Sequence, residues 1–433
     1  MLPIYKSEYD PENSSEGSLD PLGLGQIADR LGVKLVPGIR ERMSRPRFLT
    51  LIAAGAHLCK KFGEDRISKD GLTEPWLVYE WIIVQALVKK YQGMPEINRL
   101  PGSEKAGDAR KKDIPLSAAR YLKTPSVFGF HGVYRTLSEA LEIVKDDLPG
   151  EKGDLLLRGW EEEQNLNGFY SEIDGPGKEL KNRIQNVIDE SLENNEVSKK
   201  WNWPYFDTIA QYFAPAKSGV KELNILFTIL AGGDKGYRKE LIELFLTYYN
   251  SNMESLDEGV FHNYCIQKTK GPINDHLKVI RLYEQFSRLM TDSFENILYE
   301  LSQGSLQHGI GEFIKLESIK IASTTIPLIY DELMNRLLEF NESLNFDNLF
   351  GNFRFINKAS DFTNEILQHH FKIQKNKPPF GKAPWIESLP GDQYIIRPLY
   401  RRNEFNSNEN KYVHGYRINA IRSFLTDMHR ING

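Results

Sequence analysis

The sequence predicts a mainly α, multi-helical protein with a winged-helix-like N-terminal domain and a small mixed α/β C-terminal region. Three observations carry this. Apolar residues recur three or four apart through most of the chain up to about residue 340. Between 115 and 157 a short helix, a break, a longer helix, a turn and an extended piece follow one another, the order in which winged-helix modules read. After about Asn341 the composition turns to Asn, Pro, aromatic and β-branched residues, which favours short strands or an ordered loop. The expected divisions are a loose tail at 1–17, a basic helical domain at 18–170, a helical domain at 171–340 and the mixed region at 341–433.

In chain order, Ser18 or Asp20 can cap a first helix, with Pro21 suited to its first turn. Pro46 opens a helix reaching about Lys61, whose apolar face is Phe48, Leu49, Ile52, Ala53, Ala56 and Cys59. A second helix runs from Glu74 to Tyr91 and contains WLVYEWIIVQALV, a run interrupted by Glu80 and Gln85. The run is too short to cross a bilayer and reads as a buried helix. Thr124-Pro125-Ser126 breaks the chain before a helix over Val127–Val144, in which Val133, Leu137, Ala140, Leu141 and Val144 form the apolar stripe. Leu155, Leu156 and Leu157 are the candidate strand after it, without a visible partner. Residues 165–200 are polar and helical in part, broken at Gly175-Pro176-Gly177. From Trp201 to about Phe340 the helical pattern is nearly continuous, and YRINAIRSFLTDMHRI predicts a terminal helix.

The composition narrows the function. Formal net charge is −4, so any attraction to a polyanion must come from a local patch. Cys59 and Cys265, the two cysteines, give neither a disulfide framework nor a zinc knuckle, and a reducing cytoplasm is the expected home. The polar, acidic start does not resemble a secretion signal. Charge is unevenly spread: residues 1–29 carry −5, residues 30–135 carry +10, residues 136–200 carry −8 and the remainder −1. Within the basic block, Arg40, Arg42, Arg45 and Arg47 cluster in RERMSRPR, and Arg110, Lys111 and Lys112 in ARKKD. Arg120, Lys123 and Arg135 surround the break before the helix at 127–144. Such clusters neutralise phosphates and release counterions, and arginine grips phosphate oxygens bidentately. The helix N-terminus, with Thr124 and Ser126, can hold a phosphate; His131, Tyr134, Arg135 and Ser138 lie opposite the apolar stripe and can face a groove. Against this stands the plainer reading, in which the cations pair with the acidic 136–200 segment inside the fold.

Catalytic signatures are absent. GGDKGYRK at 232–239 lacks P-loop spacing and its hydroxyl, GLGQ at 23–26 follows no strand, and GFHGVY at 129–134 is no nucleophile elbow. The neighbours His369 and His370 form no metal motif. Glu317 and Lys320 in KLESIK read as a surface pair. No metal or cofactor is predicted. The C-terminal aromatics Phe353, Phe355, Phe371, Phe380, Trp385, Tyr394, Tyr400 and Tyr412, interleaved with cations, can stack bases, but the filling of a small core is the favoured reading.

Two stretches, 18–55 and 115–147, resemble uncharacterised bacterial proteins that accompany helicases or other components of antiphage defence clusters. The resemblance covers the first third of the chain and implies a DNA-related role without transferring any catalytic residue. The expected function is a non-catalytic DNA-binding or scaffolding component of a nucleic-acid-processing assembly. Duplex DNA and other protein subunits are its partners, and the membrane is not. A protein-interaction subunit without DNA contact, a nuclease with an unrecognised site and a sensor of a small ligand are the alternatives.

Overall fold

The structure is a computed structural model that describes residues 20–63, 66–233, 236–250, 257–304, 308–378, 380–407 and 411–431. The expected tail at 1–17 and the Ser18 cap lie outside the described residues. The chain is mainly helical, and no helix among the described residues is long and apolar enough to cross a membrane. It divides into two compact units, Met1–Gly32 with Glu254–Tyr416, and Val33–Met253 with Arg417–Gly433.

These divisions differ from those expected at 170 and 340, because composition marks loops but not where the chain returns. The terminal helix Ile418–Asp427 packs with the second unit: Phe424 stacks on Tyr134 with ring centroids 6.3 Å apart, and Asp427 pairs with Arg45 at 2.8 Å. Residues 20–32 pack with the helices after 257. There the Tyr283 hydroxyl donates to the Leu24 carbonyl at 2.6 Å, and His276 Nε2 lies 3.1 Å from the Leu31 carbonyl. The helix expected to start at Pro21 starts instead at Gly25; Asp20 lies ahead of it and accepts from the Leu22 and Gly25 amides, the second of which opens the Gly25–Leu35 helix.

The second unit is organised by the Pro75–Tyr91 helix. Pro75 stands at its first turn, where the missing N–H costs nothing. Trp81, Ile82, Ile83 and Val84 are consecutive and all fully buried, so this helix is enclosed on every side. Each such side chain stabilises the fold by roughly 1.5–3 kcal/mol. The Phe48–Cys59, Pro176–Asn194 and Tyr205–Phe213 helices pack around it. Gly55 permits the first of these to come close, since a Cβ there would lie 2.6 Å from the Tyr79 ring.

The break at Thr124-Pro125 yields two pieces, Pro125–Phe128 and Phe130–Ala140, divided at Gly129. A hairpin follows, pairing Val144 with Pro149 and Lys145 with Leu148. Its two-residue turn, Asp146-Asp147, has positive φ at both positions, which suits the right-handed strand twist. Leu155–Leu157, the expected strand, is instead part of the Glu151–Glu163 helix. Glu151 and Asp154 in the first turn complement its dipole, and a helix buries Leu156 and Leu157 while leaving Leu155 outside.

In the other unit the 29-residue Pro272–Glu300 helix packs along Glu317–Leu337. The expectation of strand or loop directly after 341 is corrected: Ser343–Phe350 and Ala359–Lys375 are α-helices. Phe346, Phe350 and Phe353 sit four and three apart, so one helical stripe delivers them to the core, with Phe346 4.9 Å from Tyr330 and 5.0 Å from Phe286. Burial of those rings outweighs their modest helix propensity. Strands do occur later, at Ile386–Leu389 and Gln393–Ile396, joined antiparallel and extended by His308–Gly309. Phe353, Trp385 and Tyr394 are buried, as a core reading requires, whereas Phe355 and Phe380 are exposed.

Candidate nucleic-acid interface and adjoining cleft

The start of the Phe130–Ala140 helix is held by a buried carboxylate from the central helix. Glu80 Oε2 accepts from the His131 amide at 2.8 Å, and Oε1 accepts from the Tyr121 hydroxyl at 2.8 Å. Gly129, the residue before the helix, has no side chain to cap it; a Cβ there would lie 2.0 Å from Glu80 Oε1. The long-range carboxylate takes the role a local Ser or Asp would have played. Burial pushes the Glu80 carboxyl up to about 7, against the downward pull of the two hydrogen bonds.

The basic residues separate into three groups, of which one gathers at this helix start. Arg40 and Arg42 converge on it. The Arg40 guanidinium donates to the Gly132 carbonyl and the Thr136 hydroxyl, both at 3.3 Å, and Arg42 lies 5.0 Å over the Phe128 ring. Arg42 and Lys123 are exposed and Arg40 is partly so. Arg45 borders the same region but is half-buried, bonded to Asp427 and to the Pro95 carbonyl. A second group is matched by carboxylates: Arg120 with Glu196 at 2.6 Å, and Arg135 with Glu139 at 2.8 Å and Asp147 at 3.1 Å. Here the plainer reading of the basic block applies, since all three acids belong to the 136–200 segment. A third group lies on the Ser103–Lys111 helix and its end. Arg110 donates to the Val88 carbonyl and Gln92, Lys111 pairs with Asp108, and Lys112 is exposed.

Three expected contacts are corrected. Arg47 is fully buried. It pairs with Glu222 at 3.2 Å and donates to the Ala214 and Tyr212 carbonyls at 2.7 and 3.0 Å, so it reaches no phosphate. Tyr134 is buried too, its hydroxyl accepting from the Ser44 and Arg45 amides at 2.9 and 3.1 Å, and it faces no groove. It ties the basic segment to the helix. Ser138 is likewise buried, bonded to the Arg135 carbonyl.

His131 lies about 100° around the helix from Gly132. It stacks on Trp76, ring centroids 4.4 Å apart, at the wall of a cleft of about 350 Å³. Burial lowers its pKa to about 4, leaving it neutral near pH 7. Ile52, Ala56 and Tyr79 contribute apolar lining, while Glu74, Asp146 and Asp147 bring negative charge. The ring pair offers a flat face, and Lys60 and Arg66 on the same lining oppose the three carboxylates.

The neighbours His369 and His370 are structural. His369 Nε2 lies 2.7 Å from the Leu22 carbonyl and His370 Nδ1 2.9 Å from the Pro21 carbonyl, and burial lowers both to about 4. Glu317 and Lys320 form the exposed pair their spacing predicts, at 3.5 Å. Sequence reasoning missed the grouping of Glu300, His308 and Glu312, whose ligand atoms lie within 4.8 Å of one another. His308 Nδ1 already contacts Glu312 and its Nε2 the Gln303 carbonyl. Only the i, i+4 spacing of His308 and Glu312 on the sequence hinted at it.

No protein-family model, curated protein or solved structure matches this chain.

Proposed function

We propose that the unit built on the Pro75–Tyr91 helix binds nucleic acid, with Arg40, Arg42 and Lys123 holding phosphates beside the Pro125–Phe128 and Phe130–Ala140 helices. The reading takes this unit as winged-helix-like and the protein as a non-catalytic DNA-binding component of a larger assembly. The observation that carries it is the contact of Arg40 with Gly132 and Thr136, together with Arg42 over Phe128: the fold brings the basic Arg40–Arg47 segment to a helix start some ninety residues further along the chain, where Lys123 immediately precedes the break. Cations so placed act together on closely spaced phosphates. The resemblance to proteins of antiphage defence clusters points the same way.

The test is fluorescence anisotropy with labelled duplex DNA across a salt series, comparing the native chain with R40E/R42E/K123E. Binding at low salt, weakened at least about tenfold by the variant and with a shallower salt dependence, is expected. Absence of duplex binding at low salt, or equal binding by the variant, overturns the reading. A protein-docking role is the second reading, favoured by Val127 and Phe128, which are 37% and 48% exposed at the same place. It predicts that F128S releases a protein partner while duplex affinity stays unchanged.

A further inference from the structure

We propose that the unit containing the Pro272–Glu300 helix binds a small phosphorylated organic molecule, of nucleotide size, with Arg281 and Lys411 holding the phosphoryl oxygens. The site is a cavity of about 650 Å³, within the range of small-molecule pockets. Its first wall is one stripe of the Pro272–Glu300 helix: Arg281, Gln285 and Arg288 stand four and three apart and so share a face. The facing wall is the start of the Glu317–Leu337 helix, which brings Ser318 and Thr325 as hydroxyl partners and Ile321 as apolar surface. Lys411 and Tyr412 border it from the strap that precedes Tyr416.

Charge accounting identifies the ligand class. Two carboxylates line the cavity, and both are committed within the unit. Glu284 is buried and accepts from the Val413 and His414 amides, from the Tyr416 hydroxyl at 2.7 Å and faces His414 Nδ1 at 2.7 Å. Asp292 accepts from Arg288 at 3.2 Å and from the Ser407 hydroxyl at 2.8 Å. Arg288 also donates to the Lys411 carbonyl through Nε and a terminal nitrogen, at 3.1 and 2.8 Å, which pins the strap to the helix. Among the described residues, no carboxylate lies within ion-pair distance of Arg281 or Lys411, leaving both cations for an external anion. Leu289 and Ile321 supply an apolar floor for the organic part. Cations, hydroxyls and a modest apolar surface together suit a phosphate ester better than a carboxylate-free apolar ligand or a cation.

The experiment is calorimetric titration of the full chain with ADP, pyrophosphate and adenosine, repeated on R281E/K411E and on the milder Arg281→Gln. Saturable binding of ADP is expected, at least about tenfold weaker for adenosine and for R281E/K411E, and intermediate for Arg281→Gln. Should the double variant fail to fold, Arg281→Gln decides alone, with weaker ADP binding expected. The proposal is overturned if neither ADP nor pyrophosphate binds saturably, if adenosine binds as tightly as ADP, or if the folded variants bind ADP unchanged. R40E/R42E/K123E should bind ADP as the native chain does, which separates this proposal from the nucleic-acid reading.

Discussion

Replacing Glu80 by Gln should change how stability depends on pH, in a direction the structure dictates. The Glu80 carboxyl titrates near 7 in the folded chain against an ordinary 4.5. A raised carboxyl pKa means that the folded state holds its proton more tightly than the unfolded state does. The associated stability is therefore fully present below about pH 4.5, is lost progressively between 4.5 and 7, and stays lost above. A tenfold difference in proton affinity being about 1.4 kcal/mol, the interval corresponds to about 3 kcal/mol. Gln has nearly the same shape, can accept from the His131 amide and can offer its N–H₂ to the Tyr121 oxygen, yet stays neutral throughout. Urea unfolding followed by tryptophan fluorescence at pH 5 and pH 8 gives the native-minus-variant difference, in which contributions from other groups such as His131 cancel. That difference should shift by about 2.5 kcal/mol in favour of E80Q on going to pH 8, since part of the interval is already lost at pH 5. A difference constant to within about 1 kcal/mol would refute the reasoning, because it would mean that Glu80 is not buried as a proton-holding carboxyl.

Arg47→Met should destabilise the unit by about 3–5 kcal/mol in urea unfolding, since it leaves the Glu222 carboxylate buried without its cation. Pairing it with Glu222→Leu should restore much of the loss, and a cost below about 1 kcal/mol for the single variant would contradict the buried pair. Gly129→Ala places a methyl 2.0 Å from Glu80 Oε1, so the carboxylate must leave the helix start. A cost of about 1–3 kcal/mol is expected, together with non-additivity alongside E80Q; simple addition of the two effects would show that the residues do not touch.

The sequence by itself determined the helical class and most helices, because apolar residues at three- and four-residue spacing admit few other folds. The Pro75–Tyr91 and Pro272–Glu300 helices and the terminal helix follow from periodicity and proline placement alone. It also determined that the basic block exists. Where periodicity and composition conflicted, at Phe346–Phe353, the aromatic content misled, because a helical stripe of rings is set by what it packs against. Only the tertiary structure decided the rest. It turned Glu80 and Gln85, which read as interruptions in an apolar run, into buried hydrogen-bonding posts: Gln85 accepts from the Leu116 amide and donates to the Lys199 carbonyl. It sent Arg47 inward and left Arg42 outside, although both sit in one eight-residue cluster. The physical reason is common to these cases. A charge or a polar group is neutral evidence on the linear chain, and its meaning comes from which distant carboxylate or carbonyl the fold brings within about 3 Å.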